Sequence, residues 1–252
     1  MKIGVADYGM NVWDGAAFDL ADRLEGLQRI GYDGIERLTA ISEADALHKA
    51  ACFRRLGMDF GYCRGPEPQA TIQWSSGLGR LYVWTDVPSG RGEDFAAFCR
   101  RVNRQVDLCR KWGLRVGLHN HLGQRVQNQD EVLAFLEHCP GAGLVFDTGH
   151  LAAAGGDPVE IIRRFPDRLI VMHVKDWLVT APEVGLDQWP KRGRFCELGG
   201  GNLPGFSNAA VLAALRAVGY DGWIFVEHDT HLREPLEDLA VSRQFIRQHG
   251  GI

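Results

Sequence analysis

Leu144-Val-Phe-Asp-Thr-Gly-His150 is the stretch of sequence that decides the fold of this chain. Three apolar residues run directly into an acid, a hydroxyl, a glycine and a histidine. A short apolar run bounded by turn-forming residues is typical of a strand buried on both faces, as in a parallel sheet. Asp147 and His150 are then expected at the carboxyl end of that strand, where parallel α/β folds place their functional groups.

Apolar runs like this one alternate with helical patterns along the whole chain. The predicted strands cover, in order, residues 2–6, 34–38, 58–62, 80–84, 114–119, 143–147, 168–173 and 222–227. The predicted helices cover residues 15–30, 42–56, 93–112, 129–138, a segment opened by Asp157-Pro158, 208–218 and 236–248. A length of 252 residues would also fit two smaller domains, but no change of composition marks a boundary. Eight strands alternating with helices therefore predict an α/β fold, a single (β/α)8 TIM barrel over residues 1–252.

Two segments show no clear periodicity. Residues 63–79 are rich in Gly, Pro and Ser, and no element is predicted there. Residues 177–206 combine Pro, Gly and charged residues and are predicted to form a long, irregular connection. Connections of that length in a compact domain are usually functional, so this one could close over a ligand.

The composition narrows the class of protein. Hydrophobic residues make up 45% of the chain and charged residues 24%, as in an ordinary globular domain. A formal net charge of -4 argues against a protein that mainly binds nucleic acid or another polyanion. An acid at position 7 argues against a signal peptide, and no apolar run approaches the roughly 18 residues that cross a membrane. Six scattered cysteines without a CxxC pair indicate reduced, packed thiols. These features predict a cytoplasmic protein that does not bind membranes.

Four of the predicted strands end in a histidine or a carboxylate. These residues are His119 (with His121 two positions later), Asp147, His173 and Glu227. A single such residue is more often a hydrogen-bonding cap, but four at the same end of one barrel predict a metal site. Two imidazoles and two carboxylates suit Mn, Co, Fe, Zn or Ni better than an all-oxygen calcium site, and Mg is kept as a further candidate.

Six short motifs follow one another along the chain: Gly31-Tyr-Asp-Gly-Ile-Glu36, Leu118-His-Asn-His121, Phe146-Asp-Thr-Gly-His150, His173-Val-Lys-Asp176, Leu198-Gly-Gly-Gly-Asn202 and Phe225-Val-Glu-His-Asp229. In these motifs the chain resembles the xylose isomerase-like TIM-barrel superfamily, the sugar phosphate isomerase/epimerase group. The motifs span nearly the whole chain in the expected order. The resemblance implies that strands five to eight supply the metal ligands. By position these are His119, Asp147, His173 and Glu227.

The resemblance also implies a chemistry. It predicts a divalent-metal-dependent isomerase or epimerase of carbohydrate metabolism that acts on a keto-sugar or keto-polyol. Such an enzyme removes a proton beside a carbonyl, and the metal stabilises the resulting enediolate. His119 stands where the epimerases place a glutamate, which puts their two-carboxylate scheme in doubt. The pattern His119, His121, Gly123 resembles the inosose dehydratase branch more closely, so a dehydratase (lyase) with the same first step is the alternative.

Two further readings are weaker. Endonuclease IV, a DNA repair enzyme, shares the barrel but gathers three zinc ions with many more ligands and presents a basic groove. The formal net charge of -4 and the smaller set of metal ligands argue against an endonuclease of this kind. A non-catalytic barrel used for binding is the other reading.

Proton transfer is assigned to three residues. Glu227 is the predicted base, or a ligand that doubles as one. His121 and His150 are candidates to move the second proton, because unperturbed imidazoles titrate near neutrality. His150 could equally cap the turn that follows its strand.

Several side chains near the strand ends are predicted substrate contacts. They are Glu36, Trp84, Lys175, Arg194 and Glu197, and Trp13 or Tyr8 could add to an apolar wall beside Trp84. Each of these residues also has a purely structural interpretation. Glu36 could form an ion pair, Lys175 could lie on a solvated face, and Arg194 and Glu197 could belong to an ordinary surface loop.

The sequence leaves the substrate, its phosphorylation and the metal open. Gly199-Gly-Gly201 lacks the spacing that cradles a pyrophosphate, so no dinucleotide cofactor is expected. The expected partner is a small sugar or polyol, and a homodimer or homotetramer would fit the family.

Overall fold

The computed structural model describes residues 1–6, 19–87, 89–228 and 233–252 of the chain. Eight strands form one parallel sheet in these residues: β1 (Lys2–Val5), β2 (Gly34–Thr39), β3 (Asp59–Arg64), β4 (Tyr82–Trp84), β5 (Arg115–His119), β6 (Gly143–Asp147), β7 (Leu169–Val174) and β10 (Trp223–Val226). Their order in the sheet is β3-β2-β1-β10-β7-β6-β5-β4. The two end strands, β3 and β4, approach each other, with the rings of Tyr62 and Tyr82 5.6 Å apart. The sheet is therefore a nearly closed barrel, and the prediction of a (β/α)8 TIM barrel is confirmed.

Helices connect the strands on the outside of the barrel. They are α1 (Leu20–Ile30), α2 (Glu43–Arg55), α3 (Pro68–Gly77), α4 (Phe95–Arg110), α5 (Gln129–His138), α6 (Thr148–Ala153), α7 (Pro158–Arg164), α8 (Trp189–Arg192), α9 (Asn208–Ala217) and α10 (Pro235–Gly250). Short 3-10 turns cover Pro166–Arg168 and Leu186–Gln188. The described part of the first predicted helix begins at Leu20, so its predicted start lies outside the described residues.

Local sequence explains where these helices begin and end. Asp157 caps α7 through its side chain, and Pro158 occupies the first turn, where a missing N–H is harmless. Gly31 ends α1 with φ 99°, a left-handed conformation that glycine adopts without strain. Asn128 and Glu131 form a reciprocal capping box at the start of α5.

The structure differs from the sequence prediction in the two segments without periodicity. Residues 63–79 contain the helix α3, whose first position is Pro68. The Ser- and Gly-rich composition of that helix masked its pattern. Residues 177–206 are not irregular throughout: β8 (Asp176–Val179) pairs antiparallel with β9 (Gly193–Cys196), with α8 between them. We call residues 176–196 the hairpin.

The register of the strands brings their carboxyl ends level. Asp147 of β6 pairs with His173 of β7, which in turn pairs with Phe225 of β10. Glu227 follows β10 directly, and its N–H donates to the carbonyl oxygen of Val174 at 3.1 Å. Parallel pairing therefore brings the side chains of residues 147, 173 and 227 to one end of the barrel.

Large rings fill the barrel interior because glycines on neighbouring strands leave room for them. A Cβ atom on Gly4 would lie 2.6 Å from the Phe225 ring. A Cβ atom on Gly61 would overlap the Tyr82 hydroxyl and come within 2.8 Å of the Glu36 carbonyl oxygen. Close packing of this kind tolerates no added methyl group.

Gly61→Ala should therefore destabilise the protein by about 1 to 3 kcal/mol, the usual effect of overpacking a core. Gly77→Ala is the matched control, because nothing lies within 4 Å of a Cβ atom at that helical position. Chemical denaturation of the two variants measures the difference in the free energy of unfolding. Equal stability of both variants would contradict the packing described here.

All six cysteines are free and buried. Burial raises the pKa of the Cys63 and Cys109 thiols to about 11 and that of Cys196 to about 12. Because only the thiolate reacts, the native protein should react with a thiol reagent at mildly alkaline pH only as fast as it opens. All six thiols should react after denaturation with guanidinium. A fast-reacting thiol in the native protein would refute this prediction.

Among the described residues, no helix is both long and apolar enough to cross a membrane.

Candidate metal centre

Four donor atoms meet at the carboxyl ends of β5, β6, β7 and β10. The donors belong to His119, Asp147, His173 and Glu227, and all four atoms lie within 4.8 Å of one another. Nε2 of His119 lies 3.3 Å from Oδ2 of Asp147 and 3.9 Å from Oε2 of Glu227. These two imidazoles and two carboxylates could bind a metal ion, as the strand ends predicted.

His173 is held from both sides. Its Nδ1 atom lies 2.7 Å from Oε2 of Glu227, and its Nε2 atom lies 3.0 Å from Oε2 of Glu36. Burial alone would lower the pKa of His173, but the charges of the two glutamates and their hydrogen bonds raise it to about 10. A carboxylate on the far nitrogen of a histidine fixes the ring so that the other nitrogen faces a metal. Glu36 forms a buried ion pair with His173, as the alternative interpretation of this residue expected, and its contact with substrate remains a prediction.

Glu36 is itself fixed by two aromatic side chains. Oε1 of Glu36 accepts hydrogen bonds from Nε1 of Trp84 at 2.8 Å and from the Tyr82 hydroxyl at 3.2 Å. The Trp84 ring stacks on His119, with centroids 4.6 Å apart and planes 21° apart. Trp84 therefore contacts the donor His119 directly and the donor His173 through Glu36. Its ring could also form an apolar wall beside a ligand. Trp13 and Tyr8, the other predicted wall residues, lie outside the described residues.

Lys175 is fully buried next to the donors. Its Nζ atom lies 3.0 Å from Oδ2 of Asp147 and 3.0 Å from Oε2 of Glu227. Burial raises the pKa of both carboxyls, but the Lys175 ammonium and the neighbouring imidazoles outweigh burial, so the pKa of Asp147 is lowered and that of Glu227 lies well below its usual range. Both carboxylates are charged at neutral pH. The solvated reading of Lys175 is wrong.

Asp147 is positioned by its neighbour Asn120, which sequence reasoning missed. Nδ2 of Asn120 donates to the Asp147 carbonyl oxygen at 2.8 Å, and the Asp147 N–H donates back to Oδ1 of Asn120 at 2.9 Å. The Asp147 side chain also caps α6, because Oδ1 accepts the His150 N–H at 2.7 Å. The alternative that the His150 side chain caps the following turn is wrong, because its Nδ1 atom accepts the Leu122 N–H and its Nε2 atom has no hydrogen-bond partner among the described residues.

The His121 and His150 rings are in close contact, with centroids 3.7 Å apart and planes tilted by 43°. Nδ1 of His121 lies 2.6 Å from the Leu122 carbonyl oxygen, so it must carry a proton, and Nε2 keeps a lone pair. Nδ1 of His150 instead accepts the Leu122 N–H at 3.4 Å, so its Nε2 carries the proton. That buried Nε2 atom has no hydrogen-bond partner among the described residues.

The pKa values of this histidine pair differ from the assumption made from sequence. Burial, the neighbouring His119 imidazole and the Lys175 ammonium together lower the pKa of His121 to about 4. Burial likewise lowers the pKa of His150 well below its usual range. Titration near neutrality was the argument for these two residues, and it is wrong. Both rings are neutral, one with a free lone pair and one with a free N–H.

The hairpin supplies aromatic side chains beside this pair. Phe195 packs edge-on to His150 at 4.5 Å, and Trp189 lies 5.8 Å from His121. Trp177 is buried behind both and is 4.5 Å from Phe195. The clustering of aromatic residues in the segment 177–195 was the available sequence signal for this wall.

The structure does not bring Arg194 and Glu197 to the donors. Arg194 lies on β9 and is exposed. Glu197 is buried, but its Oε1 atom pairs with Nη2 of Arg233 at 2.6 Å. Neither residue contacts the four donors, and their predicted role as substrate contacts remains a prediction.

The chain is similar in sequence to known proteins. Residues 69–249 match the family described as xylose isomerase-like TIM barrel. An inosose dehydratase of Lactiplantibacillus plantarum is 29% identical over 177 residues, which are 66% of this chain and 58% of that protein. The chain thus spans less than two thirds of the length of this relative.

Two solved structures have the same fold. The probable 3-DHS dehydratase AsbF from Bacillus anthracis superposes with a TM-score of 0.75, at 13% identity over 98% of both chains. The IOLI protein with a bound zinc atom superposes with a TM-score of 0.71, at 16% identity over 100% of this chain and 98% of the other. At these identities the likeness concerns the fold alone.

Proposed function

We propose a function from one premise: the chain belongs to the xylose isomerase-like TIM-barrel family. We infer that it is a metal-dependent enzyme that removes a proton beside the carbonyl of a keto-polyol and expels a β-hydroxyl as water. The inosose dehydratase relative supports this substrate class. The observation that carries the proposal is the convergence of two imidazoles and two carboxylates beside a neutral histidine pair.

The donor set fits a divalent first-row metal ion. Nε2 of His119, Oδ2 of Asp147, Nδ1 of His173 and Oε2 of Glu227 would hold it. Mixed nitrogen and oxygen donors suit Zn, Mn, Co or Fe. The IOLI protein, which has the same fold, was solved with a bound zinc atom. When bound, such an ion would polarise the substrate carbonyl and stabilise the negative charge that develops on removal of the proton.

Glu227 is the proposed base. Its pKa lies well below the usual range, so it is present as a carboxylate at neutral pH. Dehydration balances with one base, because the proton taken from carbon can leave with the departing hydroxyl as water. The family's epimerases use two glutamates, and His119 occupies the place of the first. A histidine in place of that first glutamate therefore favours elimination of water.

His150 is proposed as a hydrogen-bond donor to a substrate oxygen. Its Nε2–H is buried and unpartnered within the described residues. A buried donor without a partner is costly, and a hydroxyl or carbonyl oxygen of the substrate would satisfy it. His150 would hold the substrate without exchanging a proton.

A second candidate function is isomerisation or epimerisation of a keto-sugar. The observation that favours it is the lone pair on Nε2 of His121, a second proton acceptor next to the donor cluster. Its first step is the same as in dehydration.

The experiment is incubation of the metal-loaded protein with inososes and keto-sugars in deuterated water. Dehydration predicts the loss of one water by mass spectrometry, together with exchange of the proton beside the carbonyl. Exchange with a changed sugar but without loss of water would favour the second candidate. Neither exchange nor loss of water with any of these substrates would overturn the proposal.

A further inference from the structure

Lys175 and the proposed metal require the same oxygen atoms. The lysine is fully buried, and its ammonium lies 3.0 Å from Oδ2 of Asp147 and from Oε2 of Glu227. These oxygens are the ones through which the two carboxylates join the donor cluster. The ammonium therefore lies where a cation would bridge the two carboxylates.

The surroundings of Lys175 are shaped around its side chain. A Cβ atom on Gly149 would lie 2.5 Å from Cγ of Lys175, so only glycine leaves room for the lysine stem. The Phe195 ring lies 4.4 Å from the ammonium, within the range of a cation–π contact. Nδ2 of Asn208 donates to the Lys175 carbonyl oxygen at 3.2 Å and fixes the backbone.

Two buried carboxylates close together need a compensating cation. Without one, charge repulsion and loss of hydration would disorder the pair or protonate it. A bound divalent ion would meet the same need, but it would also repel an ammonium that contacts the same oxygens. The two cations are therefore alternatives at these atoms.

We propose that Lys175 is an internal counter-cation, which keeps Asp147 and Glu227 ordered without metal and which an arriving ion must displace from them. Lys175 thereby lowers the affinity of the site for metal. This role differs from the substrate contact predicted from the sequence. The inference rests on the metal centre of the proposed function.

The test compares Lys175→Met, which keeps the length of the side chain but removes its charge, with Lys111→Met at an exposed position. Metal-free proteins are titrated calorimetrically with Mn2+ and with Zn2+, and thermal unfolding is followed with and without metal. Lys175→Met should bind metal at least about tenfold more tightly, a change of about 1.4 kcal/mol. Its metal-free form should unfold at a lower temperature than the wild type. Lys111→Met should match the wild type in both measurements.

Unchanged or weaker metal binding by Lys175→Met would overturn the inference, as would unchanged stability of its metal-free form. If Lys175→Met does not fold, Lys175→Gln provides the same neutral comparison. Should the wild type bind metal and dehydrate its substrate while Lys175→Met gains no affinity, only the inference fails. Should Lys175→Met gain affinity while no substrate turns over, only the proposed function fails. Absence of metal binding in both proteins would overturn both.

Discussion

Asp147→Ala should leave the protein without bound metal and without turnover, the largest effect expected from one substitution. Oδ2 of Asp147 is a contact of both His119 and Lys175, so its loss opens the centre of the donor cluster. Loss of groups that only support metal ligands already weakens binding about 10- to 100-fold, and loss of a ligand should exceed that. Equilibrium titration with Mn2+ or Zn2+, beside a turnover assay, measures the effect.

Asp147→Asn separates the loss of a ligand charge from damage to the fold. Removing one partner of a buried ion pair destabilises a protein by about 3 to 5 kcal/mol, and Asp147→Ala also removes the cap of α6. Asparagine keeps an acceptor for the His150 N–H, so Asp147→Asn should recover part of the stability while metal binding stays weak. Full metal occupancy in Asp147→Ala would contradict the ligand assignment.

Glu227→Gln should lower kcat by about 100- to 10,000-fold, the usual contribution of a positioned base, while KM changes far less. The amide cannot accept the proton from carbon. The glutamine side-chain oxygen can still accept from His173 and Lys175, which lie 2.7 Å and 3.0 Å from Oε2 of Glu227. The substrate pocket should therefore keep its shape.

Glu137→Gln on the exposed surface of α5 is the matched control, with kcat expected at the wild-type value. Because Glu227 is also a proposed ligand, both proteins are compared at saturating metal, with occupancy measured in each. Wild-type turnover by Glu227→Gln at full occupancy would rule it out as the base.

The sequence predicts the barrel and the four donors because both follow from strand pattern. An apolar run that ends in a polar residue places that residue at the carboxyl edge of a parallel sheet. Level strand ends then bring residues such as Asp147 and His173 together without any long-range information. Because all strands of the sheet run in the same direction, their carboxyl ends lie at one end of the barrel, and this part of the site can be predicted from the sequence.

The contacts of Lys175 and the protonation state of the two other histidines depend on three-dimensional packing, which the sequence pattern does not show. Lys175 was predicted to touch substrate oxygens, yet its ammonium lies between two carboxylates because Gly149 leaves room for its stem. The neutral state of His121 and His150 follows from burial under the hairpin and from nearby positive charge, neither of which spacing reveals.

The most direct test of the central claim is the metal content of the purified protein, measured by elemental analysis beside an Asp147→Ala/His173→Ala double variant. The four-donor centre predicts one divalent ion per chain in the wild type after loading, and its loss in the double variant. Equal metal content in the two proteins, or no metal in the wild type even after loading, would contradict the account.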